Sequence, residues 1–573
     1  MYNQFMNKAL KSGMVLAIIL GMSLFLRVFL WDFVPARLTV DEMSIGYNAY
    51  SILETGKDEW GRKFPLVFEA FGDFKLPLYI YLSIPFIAGM GLTMTSVKMV
   101  SLLSGLVFVV SVYVISNQLF KEKRIAWITA LLAGISPWAV HLSRQGLESN
   151  LALALFSVGL AVFLYSLSNK KKKWLMVVSG VLLGLTFYAY VAYRLIVVLV
   201  VGLMVLYFWK NNKGVVRKFL IGFIISILPL LPSIFSDSGI ARVKHVSIFT
   251  DPGIVSSVNE NRSFCFLVNP KLDTVCKVLF NKPQEILDRF VKNYVSFLSP
   301  EFLFLTGDLN EYLGTPGYGE YFWFMLVFLL AGVFEWVKKK DSKYKLVLGI
   351  GLVAPVAGAI AGSAQIVRGS MLLLPLTLIL GYGISVMVEK VKKLKRSNAY
   401  LSLGVLVMGF FVMVYYVNYF VIYPTKFDNA AYQMPLQVTE YLKENGDEFD
   451  LVYISDYFSD AHMAVAYFLR LDPTWYRQNV VRPKGDSFGF SHPVSMGKYV
   501  FGAESFDKIF CENLDVNGVY IASQAYKGYF DEEYRNYSGV HTQAKIITFS
   551  GMKEYMERKS IDVLDKCSPI SLD

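Results

Sequence analysis

The feature that most constrains this chain is a succession of apolar runs, several of which approach or exceed the length that a helix needs to cross a bilayer, about 20 residues. Of its 573 residues, 54% are hydrophobic, and the mean hydropathy is +0.44. The first run, 13–34, is long, and no small-residue cleavage site follows it, which favours a membrane anchor over a cleaved signal. The sequence therefore predicts a polytopic α-helical membrane protein.

The basic residues lie in short loops between these runs, and their positions predict the topology. By the positive-inside rule such loops are cytoplasmic, so two successive basic loops require two crossings between them. The loops are 121–124, 170–173, 210–218, 338–345 and 389–396. With a cytoplasmic N-terminus, eleven crossings are predicted, near 13–34, 97–120, 125–140, 148–168, 174–190, 193–209, 219–235, 320–337, 346–361, 369–388 and 399–422. The net charge of +11 thus reflects membrane topology and not nucleic-acid binding.

The composition changes near Tyr423. Residues 423–573 carry 15 basic and 22 acidic side chains, whereas the rest of the chain is strongly basic. Apolar runs such as "FDLVYIS" and "VNGVYIAS" alternate there with polar turns, and "NAAYQMPLQVTEYLKENG" has the pattern of an amphipathic helix. We predict a transmembrane catalytic domain at 1–422, with outer loops at 35–96 and 236–319. A small extracytoplasmic α/β domain is predicted at 423–573.

The four cysteines, Cys265, Cys276, Cys511 and Cys567, all lie in segments predicted to be external. Disulfides form in oxidising compartments. The simplest pairing is Cys265–Cys276 and Cys511–Cys567, although four cysteines allow three pairings and buried free thiols are an alternative.

The first outer loop opens with two adjacent carboxylates, in "RLTVDEMSIGYNAYSILETG". Thr39 and Glu42 have the spacing of a capping box, and both carboxylates fall in a first helical turn, where the helix dipole favours anions. The predicted helix ends at Gly56 and places on one side Ile45, Ala49, Ile52 and Leu53. Capping explains Glu42 but gives no reason for Asp41.

The same loop contains a second apolar stretch, 77–91. It has only about 15 residues, fewer than a spanning helix needs. A crossing there would also place the basic loop 121–124 outside. We therefore expect this stretch to lie in the membrane interface.

Several charged residues are predicted at the outer ends of spans, beside the carboxylate pair. Each has a structural explanation: Arg144 and Glu148 have i, i+4 spacing for a salt bridge, and Arg194 can extend to lipid headgroups. Lys98 and Arg368, however, oppose the positive-inside rule. Taken together, the cations favour binding of a lipid-linked phosphate, and a nearby carboxylate favours a general base that deprotonates an acceptor hydroxyl.

Five stretches carry a resemblance to a known family: "DEMSIGYNAYSILETGKDEWGRKFPL", "FGDFKLPLYIYLSIPF", "ISPWAVHLSRQGLESNLALALF", "SPEFLFLTGDLNEYLGTPGYGEYFWFMLVFLLAG" and "IVRGSMLLLPLTLILGYGI". From about residue 37 to 388, the chain resembles the membrane glycosyltransferases of the C fold class (GT-C). Within that class it is similar to the bacterial branch of the protein O-mannosyltransferase and aminoarabinose transferase family, which uses polyprenyl-phosphate sugars.

The resemblance and the outer-face charges together assign expected roles. Catalytic residues are expected to be Asp41, Glu42 and Glu148. Donor-phosphate ligands are expected to be Lys75, Lys98, Arg144, Arg194 and Arg368. Residues lining the substrate are expected to be Tyr79 and Tyr190.

Two positions depart from the family. Lys98 stands where relatives usually have Arg, and "LNEYLG" replaces a segment in which Arg or His is expected. No cofactor is implied with certainty: some relatives bind a divalent metal and others do not, and we expect none here.

We therefore predict an integral-membrane glycosyltransferase that moves a hexosyl or pentosyl group from a polyprenyl-phosphate donor to an acceptor on the outer face. The acceptor is left open among a protein, a lipid and a wall polymer. The alternative is a lipid-linked-sugar transporter or a non-catalytic lipid-binding protein, whose ionisable residues would follow a mid-membrane path. The expected location is the plasma membrane of a prokaryote, with membrane lipids and no nucleic acid as partners.

Overall fold

The computed structural model describes residues 2–35, 38–70, 73–169, 172–234, 236, 247–268, 270–310, 313–315, 317–339, 341–424, 434, 436–458, 460–485, 491–523, 535–538 and 543–567. Outside this set lie residue 235 of the predicted crossing 219–235, residues 237–246, 269, 311, 312 and 316 of the predicted long outer loop, and residues 429–433 and 435 of the helix predicted in the C-terminal segment.

The chain divides into two compact units. The membrane unit comprises Met1–Trp31 and Lys98–Phe420, and the loop–domain unit comprises Asp32–Val97 and Val421–Asp573. The predicted boundary near Tyr423 is close to Val421. The predicted division of 1–422 from 423–573 nevertheless differs from this one, because the first outer loop groups with the C-terminal segment.

The first 234 residues form ten α-helices and one hairpin among the described positions. The helices are α1 Tyr2–Val28, α2 Val40–Thr55, α3 Pro77–Met90, α4 Met94–Phe120, α5 Lys123–Ile135, α6 Pro137–Arg144, α7 Glu148–Ser168, α8 Leu175–Leu185, α9 Val191–Ile227 and α10 Leu231–Ile234. The hairpin pairs β1 Phe68–Ala70 with β2 Asp73–Lys75 in antiparallel register.

The remaining elements belong mostly to helices up to residue 417 and to an α/β arrangement after it. The helices are α11 Gly253–Val268, α12 Asp273–Leu279, α13 Lys282–Leu298, α14 Met325–Val337, α15 Ser342–Val353, α16 Pro355–Ala361, α17 Leu373–Val391, α18 Ser397–Val417, α19 Leu436–Asn445, α20 Ala461–Phe468, α21 Pro473–Asn479, α22 Phe506–Glu512, α23 Phe549–Arg558 and α24 Val563–Cys567. The strands are β3 Leu451–Ser455, β4 Val480–Val481, β5 Ser495–Met496, β6 Tyr499–Gly502, β7 Gly518–Ser523, β8 Arg535–Ser538 and β9 Gln543–Thr548.

The polytopic helical architecture predicted from the sequence is confirmed. Within the described residues, six helices are long and apolar enough to cross a membrane, and a seventh candidate is the pair α5 and α6, bent by 50°. Four shorter apolar helices accompany them, including α3, which has 14 residues as its sequence implied. These lengths do not decide the number of crossings, so the count of eleven stays a prediction.

Helix α9 contains a break at Asn212, where φ is −139° and ψ is 38°. The apolar stretch Val191–Ile234 has 44 residues and would extend about 66 Å as a straight helix, twice the hydrocarbon thickness. Asn212 lies in the basic loop predicted at 210–218. The break therefore falls where the sequence predicts a cytoplasmic turn between two crossings.

The second half of α9 packs closely on α8. A Cβ atom on Gly180 would lie 2.0 Å from the carbonyl oxygen of Phe219, and one on Gly222 would lie 2.2 Å from that of Val177. Only glycine permits this approach, which is the small-residue packing typical of helices in lipid.

The break between α5 and α6 depends on Arg27, a residue of α1 that is completely buried. Pro137 has no N–H, so the Ala133 carbonyl lacks its usual helical donor. Arg27 replaces it: Nη2 donates to Ala133 O at 3.4 Å, and Nη1 donates to Gly134 O at 2.8 Å. The guanidinium thereby satisfies carbonyls that a bent helix would otherwise leave bare in an apolar environment.

In the loop–domain unit, a mixed seven-stranded sheet has the order β4-β5-β6-β3-β7-β9-β8. The two predicted strands "LVYIS" and "GVYIAS" are the central parallel neighbours β3 and β7, with Val452 opposite Val519. Helices α22 and α23 cover one side of the sheet, and the buried core between them includes Tyr453, Phe506, Phe510, Phe549 and Met552. The described part of this segment thus combines strands and helices, as the α/β pattern of its sequence predicts.

Both predicted disulfides are present. Cys265–Cys276 joins α11 to α12, and Cys511–Cys567 joins α22 to α24. One disulfide thus cross-links two neighbouring helices of the long loop, and the other cross-links two helices of the C-terminal segment.

We predict that Arg27→Met lowers the free energy of unfolding by about 2–3 kcal/mol, because the Ala133 and Gly134 carbonyls lose a charged donor in an apolar environment. The stability of Arg27→Lys should fall between those of the native chain and Arg27→Met, since an ammonium has fewer donors in a less suitable geometry. Thermal unfolding of the purified protein in detergent measures the change. Arg217→Met, at an exposed position of α9, is the control. An unchanged midpoint for Arg27→Met would contradict the role of the guanidinium.

Candidate active site

The start of α2 is held by a complete capping box. The Glu42 N–H donates to Thr39 Oγ1 at 2.9 Å, and the Thr39 N–H donates to Glu42 Oε2 at 2.7 Å. Gly56 ends the helix with φ 67°, in the left-handed region. The capping function predicted for Glu42 is confirmed. Glu42 is completely buried, so this carboxylate serves primarily to shape the helix start.

Asp41 behaves differently from its neighbour. Its side chain is 69% exposed, and one carboxylate oxygen pairs with the Nζ of Lys75, whose side chain is only 3% exposed. Lys75 ends β2, so the β1–β2 hairpin supplies the cation while the capped helix supplies the anion. A buried ammonium beneath an exposed carboxylate holds that carboxylate in one place and leaves its outer face accessible.

Helix α2 is buried along most of its length and not only on one side. Ile45, Ala49 and Ile52 are buried as predicted, but Leu53 is 38% exposed. Tertiary neighbours also cover the helix on a face that the apolar pattern did not mark. A Cβ on Gly46 would lie 2.7 Å from Cε2 of Tyr467 in α20, so the C-terminal segment packs directly on this helix.

Glu59, a further carboxylate of the first outer loop, was not predicted as a site residue. Its Oε1 accepts from Nδ2 of Asn48 at 3.0 Å, and its N–H donates to Asn48 Oδ1 at 3.1 Å, which ties the loop to α2. Arg482 lies 3.9 Å from the other oxygen and stacks over Trp60, with 4.0 Å between guanidinium carbon and ring centre. Burial raises the pKa of Glu59 to about 7, against the opposing effects of Arg482 and Asn48.

Tyr79 is buried, and its hydroxyl donates to Val97 O at 3.0 Å. This bond joins α3 to the start of α4 and gives Tyr79 a structural role that its sequence position did not reveal. Contact of Tyr79 with substrate stays a prediction.

In the membrane unit, Lys98 and Glu148 lie near the first turns of α4 and α7. Asn150 Nδ2 donates to Ser101 O at 2.8 Å and to Ser101 Oγ at 2.9 Å, which joins these two helix starts. Lys98 is buried, whereas Glu148 is partly exposed. The structure thus places these two predicted residues on adjoining helix ends.

Arg144 and Glu148 do not share a helix, contrary to the i, i+4 interpretation. Helix α6 ends at Arg144, and Gln145 has extended backbone angles. The guanidinium of Arg144 is buried and donates to Leu26 O at 2.7 Å and to Phe29 O at 2.8 Å, two carbonyls at the end of α1. Arg144 thereby caps a helix C-terminus, where a cation is favourable.

Arg194, Tyr190 and Arg368 are brought near one another. Tyr190 directly precedes α9, and Arg194 lies in the first turn of that helix, where its Nε donates to Phe187 O at 3.3 Å. The hydroxyls of Tyr193 and Ser370 lie 3.2 Å apart, which joins the start of α9 to the segment that carries Arg368. Arg368 Nη1 donates to Ala361 O at 3.1 Å and is partly exposed.

Two more buried carboxylates, Asp308 and Glu320, lie in the loop before α14. Glu320 Oε1 accepts from the Asp308 N–H at 3.0 Å, and Asp308 Oδ2 accepts from the Ile366 N–H at 2.8 Å. Burial raises the pKa of both carboxyls, and Arg368 opposes the shift at Asp308. Glu320 could have been noticed as the acidic residue of "GYGEYF". The burial of its side chain, however, depends on residues that are distant in sequence.

Most of the predicted site residues lie in three groups, one in the loop–domain unit and two in the membrane unit. Asp41, Glu42 and Lys75 form one group in the loop–domain unit. Lys98 with Glu148, and Tyr190 with Arg194 and Arg368, form two groups in the membrane unit. Across the described residues, no cluster of three or more His, Cys, Asp or Glu side chains has the arrangement of a metal site.

A family model described as dolichyl-phosphate-mannose-protein mannosyltransferase matches residues 76–235. The match covers less than a third of the chain and includes six of the predicted site residues, Tyr79, Lys98, Arg144, Glu148, Tyr190 and Arg194. No curated protein is significantly similar to the chain by sequence.

Solved structures match nearly the whole chain. ArnT from Cupriavidus metallidurans in the apo state superposes with a TM-score of 0.52 and 12% identity, covering 95% of this chain and 98% of that one. The same protein bound to undecaprenyl phosphate superposes with a TM-score of 0.50 and 11% identity, covering 94% of this chain and 98% of that one. The Archaeoglobus fulgidus oligosaccharyltransferase tethered to an acceptor peptide containing the NVT sequon superposes with a TM-score of 0.50 and 15% identity. This match covers 89% of this chain and 69% of that one. The chain therefore has the GT-C fold that its sequence resembled.

The buried Glu59 predicts a defined pH dependence of stability. The folded state binds a proton that the unfolded chain releases between the ordinary carboxyl pKa and about 7, so stability falls as the pH rises through this window and levels off above it. Glu59→Gln removes the titration and can still accept from Asn48. Between pH 5 and pH 8, the free energy of unfolding of the variant should rise relative to that of the native chain by up to about 3 kcal/mol.

Thermal unfolding in detergent at both pH values measures this difference. Glu54→Gln, at an exposed position of α2, is the matched control and should show none. Parallel pH profiles for Glu59→Gln and the native chain would contradict the raised pKa.

Proposed function

We propose that this chain, a polytopic membrane protein with the GT-C fold, is a glycosyltransferase that moves a sugar from a polyprenyl-phosphate donor to an acceptor on the outer face of the membrane. The observation that carries the proposal is the Asp41–Lys75 pair: an exposed carboxylate at a capped helix start, held by a buried ammonium. A general base needs this combination of accessibility and fixed position.

The similar structures support the type of donor and acceptor. ArnT from Cupriavidus metallidurans was solved with undecaprenyl phosphate, and the archaeal oligosaccharyltransferase with an acceptor peptide. A polyprenyl-phosphate donor and an acceptor that carries a nucleophile are the corresponding substrates for this chain. The transferred group is a hexosyl or pentosyl unit.

The proposed chemistry is displacement at the anomeric carbon. Asp41 accepts the proton of an acceptor hydroxyl, whose oxygen forms the new bond to the anomeric carbon. The bond between that carbon and the phosphate oxygen breaks, and the lipid phosphate leaves with the electron pair. Cations that neutralise the developing negative charge lower the barrier, because a phosphate whose charge is offset is a good leaving group.

Arg194 and Arg368 are the preferred phosphate ligands in the membrane unit. Both are partly exposed, and the forked guanidinium of arginine makes bidentate contacts to phosphate oxygens. Lys98 supplies additional positive charge in this unit, Lys75 supplies it beside Asp41 in the other unit, and Glu148 is a second acidic residue for acceptor or sugar. We leave Arg144 out of this set, because its guanidinium already caps α1.

The disulfides support the proposed orientation. Cys265–Cys276 and Cys511–Cys567 both fall in segments predicted to be external, and disulfides persist in oxidising compartments. The N-terminus would then be cytoplasmic and the C-terminal domain extracytoplasmic, in the plasma membrane of a prokaryote.

Asp41→Asn is expected to lower the transfer rate at least 100-fold with purified lipid-linked donor, because general-base catalysis contributes roughly that factor or more. The amide keeps the shape but cannot accept the proton. Glu54→Gln removes a carboxylate from an exposed position of the same helix and should retain full activity. Full activity of Asp41→Asn would refute the assignment, and carrier translocation without any transfer would favour a transporter.

Arg368→Gln is expected to raise the KM for the lipid donor roughly tenfold or more, because a charge-assisted contact to phosphate contributes about 1.5–3 kcal/mol. Arg368→Lys should recover part of the loss. Arg396→Gln, an exposed cation just before α18, is the control. Transfer assays at varied donor concentration give the values, with thermal unfolding to verify the fold. An unchanged KM would remove Arg368 from the donor site.

A further inference from the structure

An open groove lies within the membrane unit, among α1, α4 and α7. Its volume is about 560 Å³, within the range of ligand-binding pockets. Its walls are formed by Leu20, Gly21, Leu24, Val110, Val162 and Tyr165, among others. Leu24 and Val110 are well exposed, so the groove opens outward from the helices toward the surrounding medium.

The lining offers no unsatisfied polar group to a ligand. Ser111 Oγ donates to Val107 O at 2.7 Å, within its own helix. The hydroxyl of Tyr165 accepts from Asn169 Nδ2 at 3.4 Å. What remains available is aliphatic surface along some three turns of α4, which suits a hydrocarbon chain lying parallel to the helices.

One end of the groove has a different character. Tyr165 lies at that end, and Lys172 Nζ sits 5.6 Å from the centre of its ring. Lys172, Lys173 and Trp174 are all exposed. Cations and an exposed indole at the end of an apolar groove match the headgroup level of a bilayer, where Trp and Lys are favoured and anionic phosphates are attracted.

This end is distant from the proposed catalytic residues. Tyr165 and Glu148 occupy opposite ends of α7, 17 residues or about 25 Å apart along the axis. A lipid whose phosphate lies near Lys172 therefore does not present that phosphate to Glu148 or to Lys98 at the start of α4.

We infer that this groove is a binding site for an anionic phospholipid of the leaflet on the side of the basic loop 170–173, with an acyl chain between α1, α4 and α7 and the headgroup at Lys172 and Lys173. The site is separate from the donor site, and the inference does not depend on the transfer reaction. A bound chain would fill the space beside α1, the helix whose Arg27 and C-terminal carbonyls hold α5 and α6.

Glycines on α1 provide a matched pair of variants. A Cβ on Gly21 or on Gly13 would meet no atom within 4 Å, so either position accepts a larger side chain. Only Gly21 lines the groove. Gly21→Leu should fill it, Gly13→Leu should not, and Val110→Trp fills it from α4.

Native mass spectrometry of the full-length protein with dioleoyl phosphatidylglycerol or dioleoyl phosphatidylcholine tests the site. We expect one retained phosphatidylglycerol on the native chain and on Gly13→Leu, and at least tenfold weaker retention on Gly21→Leu and Val110→Trp. The double variant Lys172→Gln/Lys173→Gln should lose the preference for the anionic lipid. Thermal unfolding should show stabilisation by phosphatidylglycerol for the native chain and for Gly13→Leu, but not for Gly21→Leu or Val110→Trp.

Equal retention by Gly21→Leu and Gly13→Leu would overturn the inference. Displacement of the lipid by equimolar undecaprenyl phosphate, dependent on Gly21, would also overturn it by making the groove a donor-lipid site. Gly21→Leu should keep its transfer activity, which separates this test from those of Asp41 and Arg368.

Discussion

Two buried arginines hold backbone carbonyls that the membrane environment would otherwise leave without a partner. Arg27 donates across the break between α5 and α6, and Arg144 donates to the end of α1. Arg27 lies on α1 and donates to carbonyls of α5, whereas Arg144 lies on α6 and donates to carbonyls at the end of α1. The two arginines therefore join α1 to α5 and α6. In hydrocarbon, an unsatisfied carbonyl costs several kcal/mol, which is why a helix break at Pro137 requires such a donor.

This constraint also separates structural from functional cations. A guanidinium that is buried and saturated by carbonyls, like that of Arg144, is committed to the fold. Arg194 and Arg368, in contrast, remain partly accessible. By the same criterion, Glu42 is committed to a helix cap while Asp41 presents a carboxylate outward. Adjacent or similar residues thus divide into two classes by the exposure of their charged groups.

Local patterns predicted local structure well. The Thr39–Glu42 spacing, the αL stop at Gly56, the central strands and both disulfides could be read from short segments, because each depends on neighbouring residues or on compartment. The i, i+4 interpretation of Arg144 and Glu148 was wrong because the helix breaks at Gln145, and Gly146, a poor helix former, was the missed signal. Arg27 and Glu59 were missed because Ala133 and Arg482, their partners across the fold, lie 106 and 423 residues away along the chain.

The grouping of the first outer loop with the C-terminal segment has a physical reason in the side chains that join them. The Tyr47 hydroxyl donates to Leu471 O at 3.0 Å, and Arg477 Nη1 donates to Ser51 Oγ at 3.1 Å. Both contacts fall on α2, so the helix that presents Asp41 is braced on its flank as well as capped at its start. A short helix at the beginning of a loop has little stability by itself. A general base must nevertheless stay within a fraction of an ångström of its working position. The C-terminal domain therefore supplies to α2 the packing that the loop alone is too short to provide.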